Sequence, residues 1–187
     1  MSLAVLYPGC IAYEIMLTVE LLGRMGQVQF ATPDGRPHRC ESGMTIAADC
    51  DFTSADPRLS AVLIPGGDPA SVVDNIELAL MLKAAASRGA LLAAICAGPL
   101  LLAKAGLLVG RRFTHGYGKQ HADFLAPFWA GALYEDSACV IDGRVVTAQA
   151  WAHIAFGVAV ADMCGALPEG RTADQIRCYY QGAPRRA

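Results

Sequence analysis

The sequence predicts an α/β protein, a three-layer α/β/α sandwich built on a mostly parallel sheet with an added β-hairpin. Short, wholly apolar runs alternate with longer segments of helical periodicity. Such runs are typical of strands that are buried on both faces of a parallel sheet. One pair of apolar runs is instead joined by Asp142-Gly143, a strong signal for an antiparallel hairpin.

The first part of the chain alternates predicted strands and helices. "LAVLYP" is a short strand, and "IAYEIMLTVELLGRMG" carries its apolar residues on one helical stripe that ends at Gly26. "QVQFATPDG" is the next strand and its turn. Residues 38–58 are polar and predict a small strand within a loop. "SAVLIPGGDP" is a β-branched strand that stops at a Pro-Gly-Gly turn.

The alternation continues through the second part. "NIELALMLKAAASRG" predicts a helix closed by Gly89, "ALLAAI" a buried strand, and "AGPLLLAKAGLL" a helix. "SACVIDGRVVTA" is the hairpin, "WAHIAFGVAVADMCGAL" a long apolar helix, and "TADQIRCYYQGAP" a last short helix and a coil. Because we see no linker or repeat, we expect one domain over residues 1–187 with a flavodoxin-like sheet.

Composition and charge narrow the expected partners. Hydrophobic residues make up 54% of the chain, the net charge is -2, and the one basic cluster is "PRRA" at the end. Nucleic acid is therefore not an expected partner. No apolar run reaches the roughly 18 residues of a membrane span. The first residues lack the basic segment of a signal peptide, so we expect a cytoplasmic protein.

The seven cysteines show no metal-binding pattern. Their number is odd, and no pair has C-x-x-C or another zinc-ligand spacing. We expect reduced thiols, most of them filling the core, and no metal. "GGDPAS" lacks the lysine of a P-loop, so no cofactor is predicted either.

Cys96 differs from the other cysteines in its position. "LLAAI" delivers it to the carboxyl end of a strand, where open parallel sheets bind their ligands. Ala94 and Gly98 are small, as in the nucleophile elbow G-x-S-x-G, and Pro99 suits the first turn of a helix. We therefore expect a reactive thiol rather than a buried, inert one. A helix N-terminus should hold its pKa below about 8.5.

Two glycines follow the neighbouring strand in "IPGGDP" and should reach the same sheet edge. A glycine there allows a backbone N–H to approach a ligand closely. The N–H groups of Gly67 and of Ala97 are the predicted oxyanion hole. The alternative is a plain turn at the end of a strand.

"AAICAGP" after "VLIPGG", with Glu14 at the start of the first helix, resembles the ThiJ/PfpI superfamily. The resemblance covers most of the chain and implies a class I glutamine-amidotransferase-like fold. It implies that Glu14 is a protonated acid beside the thiolate, and that His115 in "RFTHGYG" is a base or stabilises the thiolate. Taken without the resemblance, Glu14 is an exposed acid at a helix N-terminus and His115 a solvated loop residue.

The chain departs from parts of the family's pattern. Ala97 stands where PfpI-type peptidases have histidine, which argues against a peptidase. Trp151 and His153 in "TAQAWAHIAF" would narrow or polarise the pocket, and with Gly66 they are candidate pocket residues. The isonitrile-hydrating branch usually has aspartate in place of Glu14.

These features predict a cysteine-dependent hydrolase, lyase or hydratase that acts on a small electrophile: an α-oxoaldehyde, a glycated adduct, an amide or an isonitrile. The first alternative is a redox-sensing or chaperone-like protein whose cysteine is oxidised to sulfinate without turnover. The second is a non-catalytic binding domain. The resemblance also implies a homodimer, in which Met16, Leu17 and Leu21 of the first helix could take part.

Overall fold

The computed structural model describes residues 1–182. The end of the predicted C-terminal coil and the basic cluster at 184–186 lie outside the described residues. No helix within the described part is long and apolar enough to cross a membrane.

The secondary structure follows the predicted alternation. The strands are β1 (Ser2–Val5), β2 (Val28–Thr32), β3 (His38–Arg39), β4 (Thr45–Ile46), β5 (Cys50–Asp51), β6 (Ala61–Ile64), β7 (Leu91–Ile95), β8 (Arg112–Phe113), β9 (Leu133–Tyr134), β10 (Cys139–Asp142) and β11 (Val145–Ala148). The helices are α1 (Tyr13–Gly23), α2 (Ile76–Ser87), α3 (Pro99–Lys104), α4 (Ala122–Leu125), α5 (His153–Met163) and α6 (Ala173–Tyr180).

The main sheet has seven strands in the order β10-β11-β7-β6-β1-β2-β5. All pairs are parallel except β10 with β11, which are antiparallel and joined through Asp142 and Gly143. Every residue of β1, β6 and β7 is buried, so both faces of the sheet are covered. Helices α1, α5 and α6 pack together over one face, and α2 and α3 over the other. The predicted α/β fold with its added hairpin is confirmed.

The structure corrects several predicted boundaries. Helix α1 ends at Gly23 rather than Gly26, and α3 ends at Lys104 rather than near Leu108. Behind α3 the chain turns at Gly106, whose φ of 72° is left-handed and stops the helix. Residues 38–58 hold three short strands instead of one. Of these, β3 and β4 form a separate antiparallel ribbon, and β5 joins the edge of the main sheet.

The sequence patterns do not define the secondary structure of residues 111–135, which the structure now shows. Strands β8 and β9 pair in parallel outside the main sheet, and the short helix α4 lies between them. Phe113 is buried and stacks near Trp129, with ring centroids 4.9 Å apart. This aromatic packing holds the segment together, and the Gly116 N–H donates to the carbonyl of Cys96 just after β7, where the candidate site lies.

Candidate active site

Cys96 lies at the turn between β7 and α3 in a strained backbone conformation. Its φ of 61° is the only positive φ of a non-glycine residue within residues 1–182. The Cys96 N–H donates to the carbonyl of Ala148 (2.9 Å), and the Gly116 N–H donates to the carbonyl of Cys96 (2.7 Å). Such strain persists only where the surroundings impose it, and it is common at reactive residues.

The small residues around Cys96 are required by the backbone. A Cβ on Gly98 would lie 2.6 Å from the carbonyl oxygen of Ile64 and 2.9 Å from that of Pro65. Both are main-chain atoms of the neighbouring strand end, which cannot move aside cheaply. The turn after Cys96 therefore packs directly against the end of β6 and brings "IPGG" to the thiol.

Glu14 is buried beside Cys96. Its side chain sits in the first turn of α1, the residue is 1% exposed, and its Oε2 accepts the N–H of Gly66 at 2.8 Å. A Cβ on Gly66 would lie 2.6 Å from Cys96 Sγ and 2.7 Å from Glu14 Oε2. Glycine at this position thus leaves the space in which the carboxyl group and the sulfur meet. Burial raises the pKa of Glu14. The interpretation as an exposed helix-terminal acid is wrong.

The pKa of the Cys96 thiol is raised to about 12, first by burial and then by the charge and hydrogen bond of Glu14. Hydrogen bonds from the backbone at Ala97 and Gly67 act in the opposite direction. The expectation of a lowered pKa is therefore wrong. Helix α3 is only six residues long, and the effect of its N-terminus on the thiol is outweighed. Desolvation of the sulfur and the adjacent Glu14 carboxyl group both oppose ionisation.

Gly67 and Ala97 thus place their N–H groups at the sulfur. Gly67 has a φ of 107°, which favours glycine, and a Cβ there would lie 2.8 Å from the Cα of Cys10. The arrangement can stabilise negative charge on the sulfur or on an oxygen beside it.

A cavity of about 340 Å³ opens over Cys96. It is lined by Ile11, Glu41, Gly67, Asp68, Cys96, Ala97, Gly116 and Tyr117. Its size suits a small molecule. A second cavity of about 350 Å³, between α2 and residues 52–59, is lined by none of these groups.

Two tyrosines near the thiol were missed by sequence reasoning. Burial, followed by the charges of Cys96 and Asp68, raises the pKa of Tyr117 to about 12. The fully buried Tyr7 donates its hydroxyl to the carbonyls of Pro65 (3.0 Å) and Gly66 (2.8 Å) and so fixes the turn below the sulfur. The glycines on either side of Tyr117 in "GYG" were the one available signal for it.

His115 packs in a cluster of aromatic rings and does not line the cavity over Cys96. Its ring stacks on Trp129 with centroids 5.1 Å apart, and its Nδ1 accepts the N–H of Tyr117 at 3.2 Å. Burial lowers its pKa, which favours the neutral imidazole. Among the described residues, His115 neither lines the cavity nor shifts the pKa of Cys96. The aromatic cluster holds the ring away and leaves Tyr117 facing the sulfur.

Two further candidate pocket residues also lie away from the cavity wall. Trp151 is 69% exposed and donates its Nε1–H to Gln149 Oε1 at 2.9 Å. The His153 ring meets Tyr13 edge to face, with centroids 5.8 Å apart, at the contact of α1 with α5. Neither residue lines the cavity over Cys96. Gly66 lies directly under the sulfur.

Known proteins resemble this chain in sequence and in fold. A match of 39% identity over 103 residues with an uncharacterized protein of Archaeoglobus fulgidus covers 53% of this chain and 59% of that protein, so it spans little more than half of the relative's length. A glutathione-independent glyoxalase of Caenorhabditis elegans is 30% identical over 139 residues, which cover 73% of this chain and 72% of that protein.

Solved structures agree with this relationship. The crystal structure of a DJ-1 superfamily protein from Agrobacterium tumefaciens has a TM-score of 0.81 and 26% identity, with 97% of this chain and 99% of that chain covered. The profile of the DJ-1/PfpI family matches residues 3–163. The resemblance seen in the sequence is therefore confirmed, and the chain belongs to the DJ-1/PfpI family.

Proposed function

We propose that this protein is a cysteine-dependent enzyme that converts small α-oxoaldehydes to 2-hydroxy acids. The observation that carries the proposal is the position of Cys96 at the floor of a small cavity, with Glu14 on one side of its sulfur and the N–H groups of Gly67 and Ala97 on the other. The relative named a glutathione-independent glyoxalase supports this choice of substrate.

In the proposed reaction, Sγ of Cys96 adds to the aldehyde carbon. The thiol proton passes to the Glu14 carboxylate as the C–S bond forms. Negative charge develops on the aldehyde oxygen, and the N–H groups of Gly67 and Ala97 are the donors beside it. Burial of Glu14 suits a proton carrier, because it brings the pKa of the carboxyl closer to neutral pH.

The overall change needs no external oxidant. The aldehyde carbon is oxidised to the acid level, the neighbouring carbonyl is reduced to the hydroxyl, and one water molecule is added. A hydrogen must move from the first carbon to the second within the bound adduct. The resulting thioester is then hydrolysed, which frees Cys96. Tyr117 lines the cavity, and in this proposal its hydroxyl donates a proton to the second oxygen.

The proposal is tested by assaying the wild-type protein, Cys96→Ala and Cys139→Ala with methylglyoxal. Loss of the oxoaldehyde and formation of the 2-hydroxy acid are both measured. We expect Cys96→Ala to abolish turnover and Cys139→Ala, which changes another half-buried thiol, to keep it. Equal activity of the two variants contradicts the assignment of Cys96.

The same samples test the redox-sensing alternative. Mass spectrometry after mild peroxide treatment reports the oxidation state of Cys96. Selective conversion of Cys96 to sulfinate, without turnover of oxoaldehydes, amides or isonitriles, would replace the enzymatic proposal with the sensing one.

A further inference from the structure

Cys10 and Cys40 form a close pair of free thiols outside the chemistry described so far. Their sulfur atoms are 3.6 Å apart, although the residues are 30 positions apart in the chain. Cys10 is 0% exposed and Cys40 is 5% exposed. No spacing rule applied to the sequence identifies this pair, because it is made by the fold.

Backbone hydrogen bonds hold the two cysteines together. The Glu41 N–H donates to the carbonyl of Cys10 (3.0 Å), and the Cys40 N–H donates to the carbonyl of Met44 (2.8 Å). A disulfide needs an S–S distance of about 2.05 Å, so the two sulfurs must approach by roughly 1.5 Å. Side-chain rotation and a small shift of the Cys40 turn supply a movement of that size.

We propose that Cys10 and Cys40 form a reversible disulfide when the protein meets a hydroperoxide, and that this bond cross-links two walls of the Cys96 pocket. In the first step, the Cys40 sulfur attacks the peroxide; an S–O bond forms, the O–O bond breaks, and the leaving hydroxide takes the Cys40 proton and departs as water. In the second step, the Cys10 sulfur attacks the Cys40 sulfur; the S–S bond forms, the S–O bond breaks, and the leaving hydroxide takes the Cys10 proton and departs as a second water.

The structure makes Cys40 the first thiol to react. Cys10 is fully buried, and burial raises the pKa of its thiol, so a peroxide does not reach Cys10 first. Cys40 lies at the end of the ribbon of β3 and β4, which has two residue pairs and lies outside the main sheet. A ribbon this short opens locally at low cost in free energy, and such opening admits the peroxide.

The pair is connected to the Cys96 pocket on both sides. Ile11 and Glu41, the residues that follow the two cysteines, both line the cavity. Cys10 also pairs with Gly67 in an antiparallel bridge, and Gly67 holds one of the N–H groups at the Cys96 sulfur. A disulfide would fix these walls relative to each other, and we expect slower entry of bulky reagents.

The bond itself is tested in Cys96→Ser protein, so that the result is independent of the proposed enzymatic function. After treatment with hydrogen peroxide, we expect two thiols per chain to be lost, a Cys10–Cys40 peptide by mass spectrometry, and recovery with dithiothreitol. The thermal midpoint should rise by about 5–10 °C, because the bond closes a long loop of the unfolded chain. Adding Cys40→Ala should abolish both the cross-linked peptide and the rise in the thermal midpoint, whereas adding Cys139→Ala should preserve them.

Other outcomes overturn the proposal. Two thiols that persist, a different cross-linked pair, or stepwise oxidation of Cys40 to sulfinate would each show that the pair does not close.

The effect on the pocket is measured separately in the protein with Cys96 intact, as the rate constant for alkylation of Cys96 by a bulky maleimide. We expect that constant to fall several-fold after the disulfide forms and not in Cys40→Ala. An unchanged constant overturns the coupling to the pocket.

Discussion

At the scale of single residues, the pairing of Glu14 with Cys96 decides how reactive the thiol is. Both groups are desolvated; the hydrogen bond between them lowers the pKa of Glu14 and raises the pKa of Cys96. Burial and the adjacent carboxyl oppose ionisation of the sulfur, while the N–H groups of Gly67 and Ala97 favour it. The balance of these effects raises the pKa of the thiol, and in the proposed reaction Glu14 takes the thiol proton.

Glu14→Gln should lower the pKa of the Cys96 thiol. The amide removes the negative charge that opposes the thiolate, and its NH₂ group can donate to the sulfur. The measurement is the absorbance of thiolate at 240 nm against pH, taken as the difference from Cys96→Ala; the wild-type midpoint is expected near 12. Glu20→Gln, on the exposed side of the same helix, is the control and should leave the midpoint unchanged. A midpoint that rises in Glu14→Gln would show that a protonated carboxyl stabilises the thiolate.

The sequence allowed Cys96 to be singled out but not its ionisation. A strand-to-helix turn has local signals, here the small residues Ala94 and Gly98 and the following Pro99. Such signals can be recognised in the sequence itself. The pKa depends on burial and on a carboxyl group about 80 residues away, both of which exist only after folding. The placement of His115 depends likewise on its packing against Trp129.

At the scale of elements, the turn between β7 and α3 depends on the absence of a side chain at Gly98. Gly98→Ala should destabilise the protein by about 1–3 kcal/mol, because the new Cβ overlaps main-chain oxygens of Ile64 and Pro65. The free energy of unfolding is measured with urea. Gly23→Ala is the matched control, since a Cβ there meets no atom within 4 Å. Equal loss in both variants would contradict the close approach of the turn to β6.

Long periodic segments were predictable, whereas strands of two residues and the end of α3 were not. The buried runs of β1, β6 and β7 and the periodicity of α2 indicate their own structure. Strands β3, β4, β5, β8 and β9 have two residues each, too few to show a period. Helix α3 stops early because the N–H of Leu107 bonds back to the carbonyl of Leu102 around Gly106, a closure that apolar periodicity does not reveal.

At the scale of the whole molecule, the thiols that folding desolvates make the stability of the protein fall at alkaline pH. The pKa is raised from an ordinary 9.0 to about 12 for Cys10 and Cys96, and to about 11 for Cys139. Because these pKa values are raised by folding, their contribution is complete below about pH 9 and is lost as the pH rises towards 12. The thermal midpoint should therefore fall progressively above pH 9.

Cys139→Val provides the check on that prediction. Each such thiol changes the free energy of unfolding by at most about 1.4 kcal/mol per pH unit, and this variant removes one of these thiols. We expect the midpoint of the variant to fall less steeply with pH than that of the wild type. Exposed Cys178→Ser should leave the slope unchanged. Identical slopes in all three proteins would show that the buried thiols do not control alkaline unfolding.

The cavity over Cys96 combines groups from separate parts of the chain. Those that hold the sulfur come from the ends of β6 and β7 and the start of α1, at the centre of the sheet. Gly116 and Tyr117, by contrast, belong to the segment from 111 to 135, which is anchored on the outside by its aromatic cluster. Gly116 also touches the nucleophile, because its N–H donates to the carbonyl of Cys96 and a Cβ there would lie 2.8 Å from the Cys96 Cα. Under the proposed function, we therefore expect that a mutational library in this outer segment can change substrate choice only if Gly116 and Tyr117 are kept.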